Sequence, residues 1–379
     1  MKVGVNLTWL VPGVVGGTET YATGLLRALS ARSSRPDIVL FALPEFADAY
    51  SDLTQAYETA VVPLRHGKMA RVLAENSWLH RLTTQRGLDL VHHFGGVVPL
   101  RTGAPAVLTV HDLFFRHFPH HLGFEKRLWL RLNTARSLRA ASVITSPSAF
   151  TAADVAGHYD VAAERITVIP PAMPPASVHS AQDATAIRER VGLGRYLLYP
   201  AALYEHKNHR LLLDAFARVA PAHPDVRLML TGPTGAGRWG AAGSVAPVLA
   251  AQCRESRLAD RVVHLGWLPP GQLSALYAGA TALVFPSRFE GFGLPAIEAM
   301  AAGIPVLAAR AGALPEVVAE GGQLLDPDDT AVWAAAIGGV LSDSTERDRL
   351  ATAARSRAQA LAATDSTDAL VACWQAAYH

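Results

Sequence analysis

The sequence predicts an α/β protein of two doubly wound domains, and three observations predict it. Short, continuous apolar runs alternate with helical patterns from end to end, as parallel strands buried on both faces require. The same scheme is laid out twice along the 379 residues, without any fixed-period repeat. Between the halves stands Pro170-Pro171-Ala172-Met173-Pro174-Pro175, four prolines in six residues. Neither a helix nor a strand interior tolerates that density, so the segment reads as a linker.

In the first half the strand candidates are Lys2–Leu7, Ile38–Leu43, Leu88–Phe94, Ala106–Val110, Ser142–Thr145 and Ile166–Ile169. A helical pattern over Thr18–Arg32 places Tyr21, Leu25, Leu26 and Leu29 on one apolar face. The second half offers Tyr196–Tyr199, Val226–Leu230, Val262–Leu265, Ala282–Phe285, Val306–Ala308 and Gln323–Leu325. After Asp328 the strands stop, and Thr330–Leu341, Glu346–Leu361 and Asp368–Tyr378 read as helices. The division expected is 1–175 for the first domain, 176–362 for the second and 363–379 for a final helix. Ligands of such folds bind beyond the carboxyl ends of the strands, so the cleft between the domains is the expected site.

Composition excludes several classes. Charged residues make up 17% of the chain and the formal net charge is +2, against the clustered basic excess of a nucleic-acid binder. The basic set comprises 30 arginines and only four lysines: Lys2, Lys68, Lys126 and Lys207. Two cysteines, Cys253 and Cys373, are too few and too far apart for a disulfide framework or a structural zinc site. A reducing, cytoplasmic setting follows. Met1–Leu7 runs to Pro12-Gly13 without a signal-peptide cleavage pattern and reads as the first strand. No apolar run reaches the length of a membrane span.

The sharpest local signal is Pro286-Ser-Arg-Phe-Glu290-Gly291-Phe292-Gly293-Leu294-Pro295-Ala-Ile-Glu298, which leaves a strand and enters a helix. Its glycines permit close backbone approach and Pro295 suits a first helical turn. The free amides of residues 291–294 would then form an anion site at the positive end of the helix. Glu290 and Glu298, with seven residues between them, are placed to accept hydrogen bonds from a vicinal diol of a ribose or a sugar ring. The plain alternative is a glycine turn with two solvated glutamates. Lys207, one of only four lysines, stands in Glu205-His206-Lys207-Asn208-His209 on the carboxyl side of a strand candidate.

Glu290-Gly-Phe-Gly-Leu-Pro…Glu298 resembles the E-x7-E motif of retaining glycosyltransferases of family 4, which have the GT-B fold of two Rossmann-like domains across a cleft. The resemblance covers most of the chain and is strongest from about Tyr196 to Asp328. Gly16-Gly17-Thr18-Glu19, Val110-His111-Asp112, Ser146-Pro147-Ser148-Ala149-Phe150, Lys207-Asn208, Gly232, Gly266-Trp267 and Gly312-Ala-Leu-Pro315-Glu316 fall in family order. The resemblance implies an N-terminal acceptor domain, a C-terminal nucleotide-sugar domain and a last helix, with Trp374 and Tyr378, that returns to the first domain. It makes Lys207 the diphosphate lysine, Glu290 the ligand of donor-sugar hydroxyls and Glu298 that of the ribose. Amides of Gly291, Phe292, Gly293 and Leu294 would orient the sugar and phosphates. His111 would sit by the donor sugar, and Gly16 and Gly17 would meet the phosphate or the acceptor. Gly232 belongs to a loop on the phosphate or base side.

The expected reaction is metal-independent, retaining transfer of a hexose-type sugar from a GDP- or UDP-linked donor to a hydroxyl of a saccharide, lipid-linked or small-molecule acceptor. No cofactor and no nucleic acid are implied. Two alternatives stay open: a catalytically silent sugar-nucleotide-binding partner subunit, and a nucleotide-sugar epimerase or hydrolase of the same fold. One departure bears on them, because Ala202 stands where many family members carry an arginine; His206, Arg210 or Arg288 could supply the missing cation. His92, His93, His117, His120 and His121 have no motif support and read as structural or acceptor-side residues. Gly232-Pro-Thr-Gly235-Ala-Gly237-Arg238-Trp239 lacks the Lys-Ser/Thr of a P-loop. Asp326-Pro327-Asp328-Asp329 reads as a turn with an Asp helix cap rather than a metal-binding D-x-D. The basic run within Phe124–Ala141 is either a solvated helix face or a surface for an anionic lipid-linked acceptor, which would place the protein at the inner face of the membrane.

Overall fold

The computed structural model describes residues 1–62, 68–173, 179–192, 194–234 and 245–378, with backbone alone for 68–70. Pro174 and Pro175 of the linker, and Gly235, Gly237, Arg238 and Trp239 of the glycine loop, lie outside the described residues. The chain divides into two compact units, Met1–Ala172 with Asp365–His379, and Met173–Thr364. None of the described helices is long and apolar enough to cross a membrane.

The first unit is built on seven parallel strands: β1 (Lys2–Asn6), β2 (Asp37–Ala42), β3 (Glu58–Val61), β4 (Leu90–His93), β5 (Ala106–Thr109), β6 (Val143–Ser146) and β7 (Ile166–Val168), in the order β3-β2-β1-β4-β5-β6-β7. Six coincide with apolar runs of the sequence. The seventh, β3, was not expected: it is a four-residue edge strand with Glu58 and Val61 exposed, too short and too mixed to stand out. The helix Gly17–Ser30 buries Tyr21, Leu25, Leu26 and Leu29, the face that the 3.6-residue period predicts.

The final helix, Ser366–Tyr378, belongs to this first unit. Asp365 accepts from the amides of Thr367 (2.8 Å) and Asp368 (3.2 Å) at its start, and Arg32 pairs with Asp365 at 3.0 Å. Leu370, Cys373 and Trp374 enter the same core as Val5, Leu25 and Phe94. The indole of Trp374 lies 3.0 Å from His92 Nδ1. An indole N–H only donates, so Nδ1 accepts and the His92 proton sits on Nε2, which donates to Thr109 Oγ1 at 2.8 Å. Burial, with His93 and His111 adding to it, holds His92 well below the ordinary histidine range. The imidazole is therefore a neutral structural link between the last helix and the sheet.

The second unit carries β8 (Tyr196–Pro200), β9 (Arg227–Thr231), β10 (Val262–His264), β11 (Ala282–Phe285), β12 (Val306–Ala309) and β13 (Gln323–Leu325), all parallel, in the order β10-β9-β8-β11-β12-β13. All six answer to apolar runs. Both sheets reverse their strand order at a pair of central strands, β1 and β4 in one, β8 and β11 in the other. The loops beyond the carboxyl ends of such a pair diverge and leave room for a ligand.

Trp374→Phe removes the only donor that an indole offers and leaves His92 Nδ1 unpaired inside the core. The expected loss is about 1–3 kcal/mol of unfolding free energy, read from denaturant melts; an unchanged midpoint would show that the link carries no stability.

Candidate functional site

Two loops meet at the switch point of the second sheet. The one after β8 passes through Tyr204 to the 3₁₀ turn Glu205–Lys207, and Tyr199 at the end of that strand donates from its hydroxyl to Lys207 O at 2.6 Å. The one after β11 runs from Pro286 to Gly293. Their backbones are joined where Arg288 N donates to His206 O at 2.8 Å. Across this seam Lys207 Nζ donates to Glu290 Oε1 at 2.7 Å, with the side chains only 18% and 12% exposed. A short charge-assisted bond, largely shielded from water, fixes both groups.

A third loop, after β12, backs Glu290. Ala313 N donates to Glu290 O at 3.0 Å. Gly312 lies so close that a Cβ there would stand 2.7 Å from both the N and the O of Glu290, and its φ is +57°. Only glycine meets both conditions. The sequence showed Gly312 as a motif residue without revealing that its neighbour is Glu290.

The helix Leu294–Ala301 begins at Gly293, whose φ of 103° turns the chain into it, with Pro295 in the first turn. A Cβ on Gly293 would meet Leu314 Cδ2 at 2.6 Å, so the turn is packed as well as bent. The first amides of a helix have no partner within it, and those of Gly293 and Leu294 stand at this start. Glu298 lies one turn further in and accepts from Tyr277 OH at 2.8 Å. Burial pushes the Glu298 carboxyl up to about 7, with the Tyr277 hydrogen bond acting in the opposite sense. Tyr277, on the helix Pro270–Gly279, carries no motif and was missed by the sequence reading.

The place of the missing arginine is also clear. Ala202 lies against Gly232, where a Cβ would stand 2.9 Å from the Ala201 carbonyl and 3.1 Å from Ala202 N, at φ +126°. Gly232 is thus a close-approach glycine between two strand ends. Arg288, one of the three substitutes considered, is engaged: its guanidinium donates to Asp328 Oδ1 at 2.6 and 3.1 Å. His206 is buried and stacked on Tyr204 at 5.9 Å. Arg210 is exposed on the first turn of the next helix. The acidic turn behaves as a turn: Asp329 caps the helix Thr330–Ser342 through the amides of Ala331 (2.9 Å) and Val332 (3.1 Å).

The remaining sequence candidates lie in the first unit. Gly16, φ 67°, caps the helix that Gly17 opens. Glu19 in its first turn is buried and receives Gly13 N at 3.1 and 3.0 Å and the Tyr50 hydroxyl, so it holds the glycine-rich loop from within. His111 follows β5; its Nε2–H donates to Phe94 O at 2.7 Å, and its ring meets Tyr21 edge-on at 5.1 Å. His92 and His93 are core residues.

Residues 184–357 match the family described as Glycosyl transferases group 1, and residues 15–176 match Glycosyltransferase Family 4. The chain is similar to the O-antigen chain mannosyltransferase B of Escherichia coli, with 31% identity over 91% of each chain. Its fold is similar to that of sucrose-phosphate synthase from Thermosynechococcus elongatus, with a TM-score of 0.76, 22% identity and coverage of 99% and 98% of the two chains. It is similar also to Anabaena HepE in complex with UDP and glucose, with a TM-score of 0.75, 21% identity and 99% of each chain covered.

Gly312→Ala and Gly266→Ala separate the two demands on a glycine. Gly266 has φ 72° and open space where a Cβ would go, so its substitution costs only the backbone strain, about 1–2 kcal/mol. Gly312→Ala should cost more, because it also presses on Glu290. Equal losses in the two melts would show that the loop after β12 does not hold Glu290 in place.

Proposed function

The chain belongs to the family 4, group 1 glycosyltransferases, and from that premise we propose that it transfers a hexosyl group, with retention, from a GDP- or UDP-linked donor to an acceptor hydroxyl. The observation that carries the proposal is the Lys207–Glu290 pair beside the start of the helix Leu294–Ala301. Departure of a nucleoside diphosphate builds negative charge on the bridging phosphate. A fixed ammonium and unpaired helix amides oppose that charge without reorganising. Lys207 and the amides of Gly293 and Leu294 take this role, and no metal is required in it.

Glu290 accepts from hydroxyls of the donor sugar and, through Lys207, ties the sugar to the phosphate end. Glu298 accepts from the ribose. Gly291 and Phe292 line the turn between them, and Gly232 allows the strand ends beneath to approach. His111 and the Gly16-Gly17 helix start in the first unit serve the sugar and the acceptor. The C1–O bond to the phosphate breaks and the C1–O bond to the acceptor forms on the same face of the ring. The acceptor's proton passes to the departing phosphate oxygen. Mannosyl donors come first in a screen, because the Escherichia coli relative that aligns over most of both chains is a mannosyltransferase.

Lys207→Ala and Glu290→Ala should each lower sugar transfer by roughly a hundredfold or more, the scale on which removing one charge-stabilising group acts, with a cooperative melt, shifted down by the loss of the partner charge, showing that the fold persists. Normal rates in both would misplace the site. Nucleotide release without any acceptor dependence would assign a hydrolase. Binding of donors with no turnover would assign a silent partner subunit.

A second test uses Glu298. Burial holds its carboxyl up at about 7, whereas ribose hydroxyls donate to the ionised form and so favour proton release on binding. Affinity for an intact nucleotide sugar, whose own diphosphate does not titrate near neutrality, should therefore weaken as pH falls below 7, by up to about tenfold per unit. Glu298→Gln should abolish the dependence. A pH-independent affinity in the unmodified protein would contradict the assignment of Glu298.

A further inference from the structure

Most large apolar side chains of this protein lie inside, and the exceptions are not scattered. Among the described residues, seven of the fifteen exposed ones fall on three stretches of the first unit: Val72 and Leu73; Leu100; and Phe124, Leu128, Trp129 and Leu132. The stretches adjoin one another. Asn76, in the turn after Leu73, accepts at Oδ1 from Leu100 N at 2.7 Å. Arg136, on the helix Phe124–Ala140, donates to Pro99 O at 3.3 Å and to Val98 O. A cluster of this kind, unlike single exposed apolar residues, marks a surface that something covers.

The helix Phe124–Ala140 is built the reverse of an ordinary surface helix, which turns its apolar stripe inward. It buries Thr134, Ser137 and Leu138 and leaves Phe124 68% and Leu132 61% exposed. Phe124, Leu128 and Leu132 recur every fourth residue and so share the outward side, with Trp129 next to it. The neighbouring charge selects the occupant. Segments 71–82, 100–101 and 124–140 carry eight lysines and arginines; Arg71 pairs with Glu75 at 3.7 Å and Arg136 is turned onto backbone carbonyls, which leaves Arg81, Arg101, Lys126, Arg127, Arg131 and Arg139, in a chain that is otherwise close to balanced. Glu75 is buried, which leaves Glu125 as the acidic group on this surface. A second copy of the chain would bring the same positive charge to the contact and be repelled by it. A nucleic acid would match the charge and leave the leucines uncovered.

We propose that this face is a peripheral docking surface for an anionic lipid bilayer. Phe124, Leu128, Trp129 and Leu132 enter the boundary between headgroups and acyl chains, and the flanking arginines and lysines lie against the headgroup phosphates. Tryptophan suits that depth because its ring is apolar and its N–H finds polar partners at the interface. Arg127 and Arg131 sit on the same helix as the apolar group, so insertion and charge neutralisation occur together.

The test is flotation of the full chain with vesicles of phosphatidylcholine alone and of phosphatidylcholine with about one-third phosphatidylglycerol, at roughly 0.1 M salt. The protein should float with the anionic vesicles at least about tenfold better than with the neutral ones. Trp129→Ser/Leu132→Ser should lose that binding, and Arg131→Glu/Arg139→Glu should lose most of it, both at unchanged melting temperature. Equal flotation with both lipids, or variants that float as the parent does, would overturn the proposal. So would a dimer in sedimentation that Trp129→Ser/Leu132→Ser dissolves while no vesicle is bound. The assay holds no sugar nucleotide, so its failure leaves the donor-site reading standing, and failure of that reading leaves this surface standing.

Discussion

One ion pair organises the loops at the switch point of the second sheet. Lys207 and Glu290 come from different loops, at the ends of strands that are neighbours in space and 83 residues apart in sequence for the pair itself. Each charge, largely withdrawn from water, has the other as its compensation, so neither is tolerated alone at low cost. The arrangement needs both loops held at backbone level. The Arg288–His206 hydrogen bond joins them, Tyr199 anchors the carbonyl of Lys207, and the loop carrying Gly312 and Ala313 presses on Glu290 from behind. Under the proposed function, a diphosphate and a ring of sugar hydroxyls would meet both members of the pair ready oriented.

The two switch points are equipped differently. In the first unit the carboxyl ends of β1 and β4 are filled with the protein's own polar groups. Asn6 Nδ2 reaches His93 Nδ1 at 3.2 Å, and Thr8 Oγ1 lies 2.7 Å from Asn6 Oδ1 and 2.9 Å from Glu75 Oε1, its single proton shared between them. Burial pushes His93 down to about 3, which keeps that network neutral at the histidine. In the second unit the corresponding place has a lysine, a glutamate and the start of a helix. The same architecture thus stores polar groups as structure at one sheet and presents them at the other. Glu19 follows the first pattern, its carboxylate turned onto the Gly13 amide and the Tyr50 hydroxyl.

What the sequence revealed followed from distance along the chain. All six strands of the second sheet were readable as short apolar runs: the inner ones are buried on both faces, and the part-buried edge strands Val262–His264 and Gln323–Leu325 keep apolar residues at most positions. The edge strand Glu58–Val61 was not, because its four residues mix glutamate and threonine with alanine and valine and two of them are exposed. Glu290, Gly293 and Glu298 stood out because turn glycines, a helix-start proline and charges fall within a few residues of one another, and Lys207 because it is one of four lysines and follows a strand candidate. Tyr277, which acts on Glu298 from 21 residues away, left no local trace. Neither did the contact of Gly312 with Glu290, nor the pairing with Asp328 of Arg288, one of the cations that the sequence offered in place of an arginine at Ala202. The buried Trp374–His92 bond joins residues 282 apart in sequence, and only the assembled sheet brings them together.

The measurement that bears most directly on this account is a crystal structure of the protein with an intact nucleotide sugar. The account predicts diphosphate oxygens within hydrogen-bond reach of Lys207 Nζ and of the amides of Gly293 and Leu294, with the ribose on Glu298 and the sugar ring on Glu290. A nucleotide bound with its diphosphate away from Lys207 and its ribose away from Glu298 would contradict it.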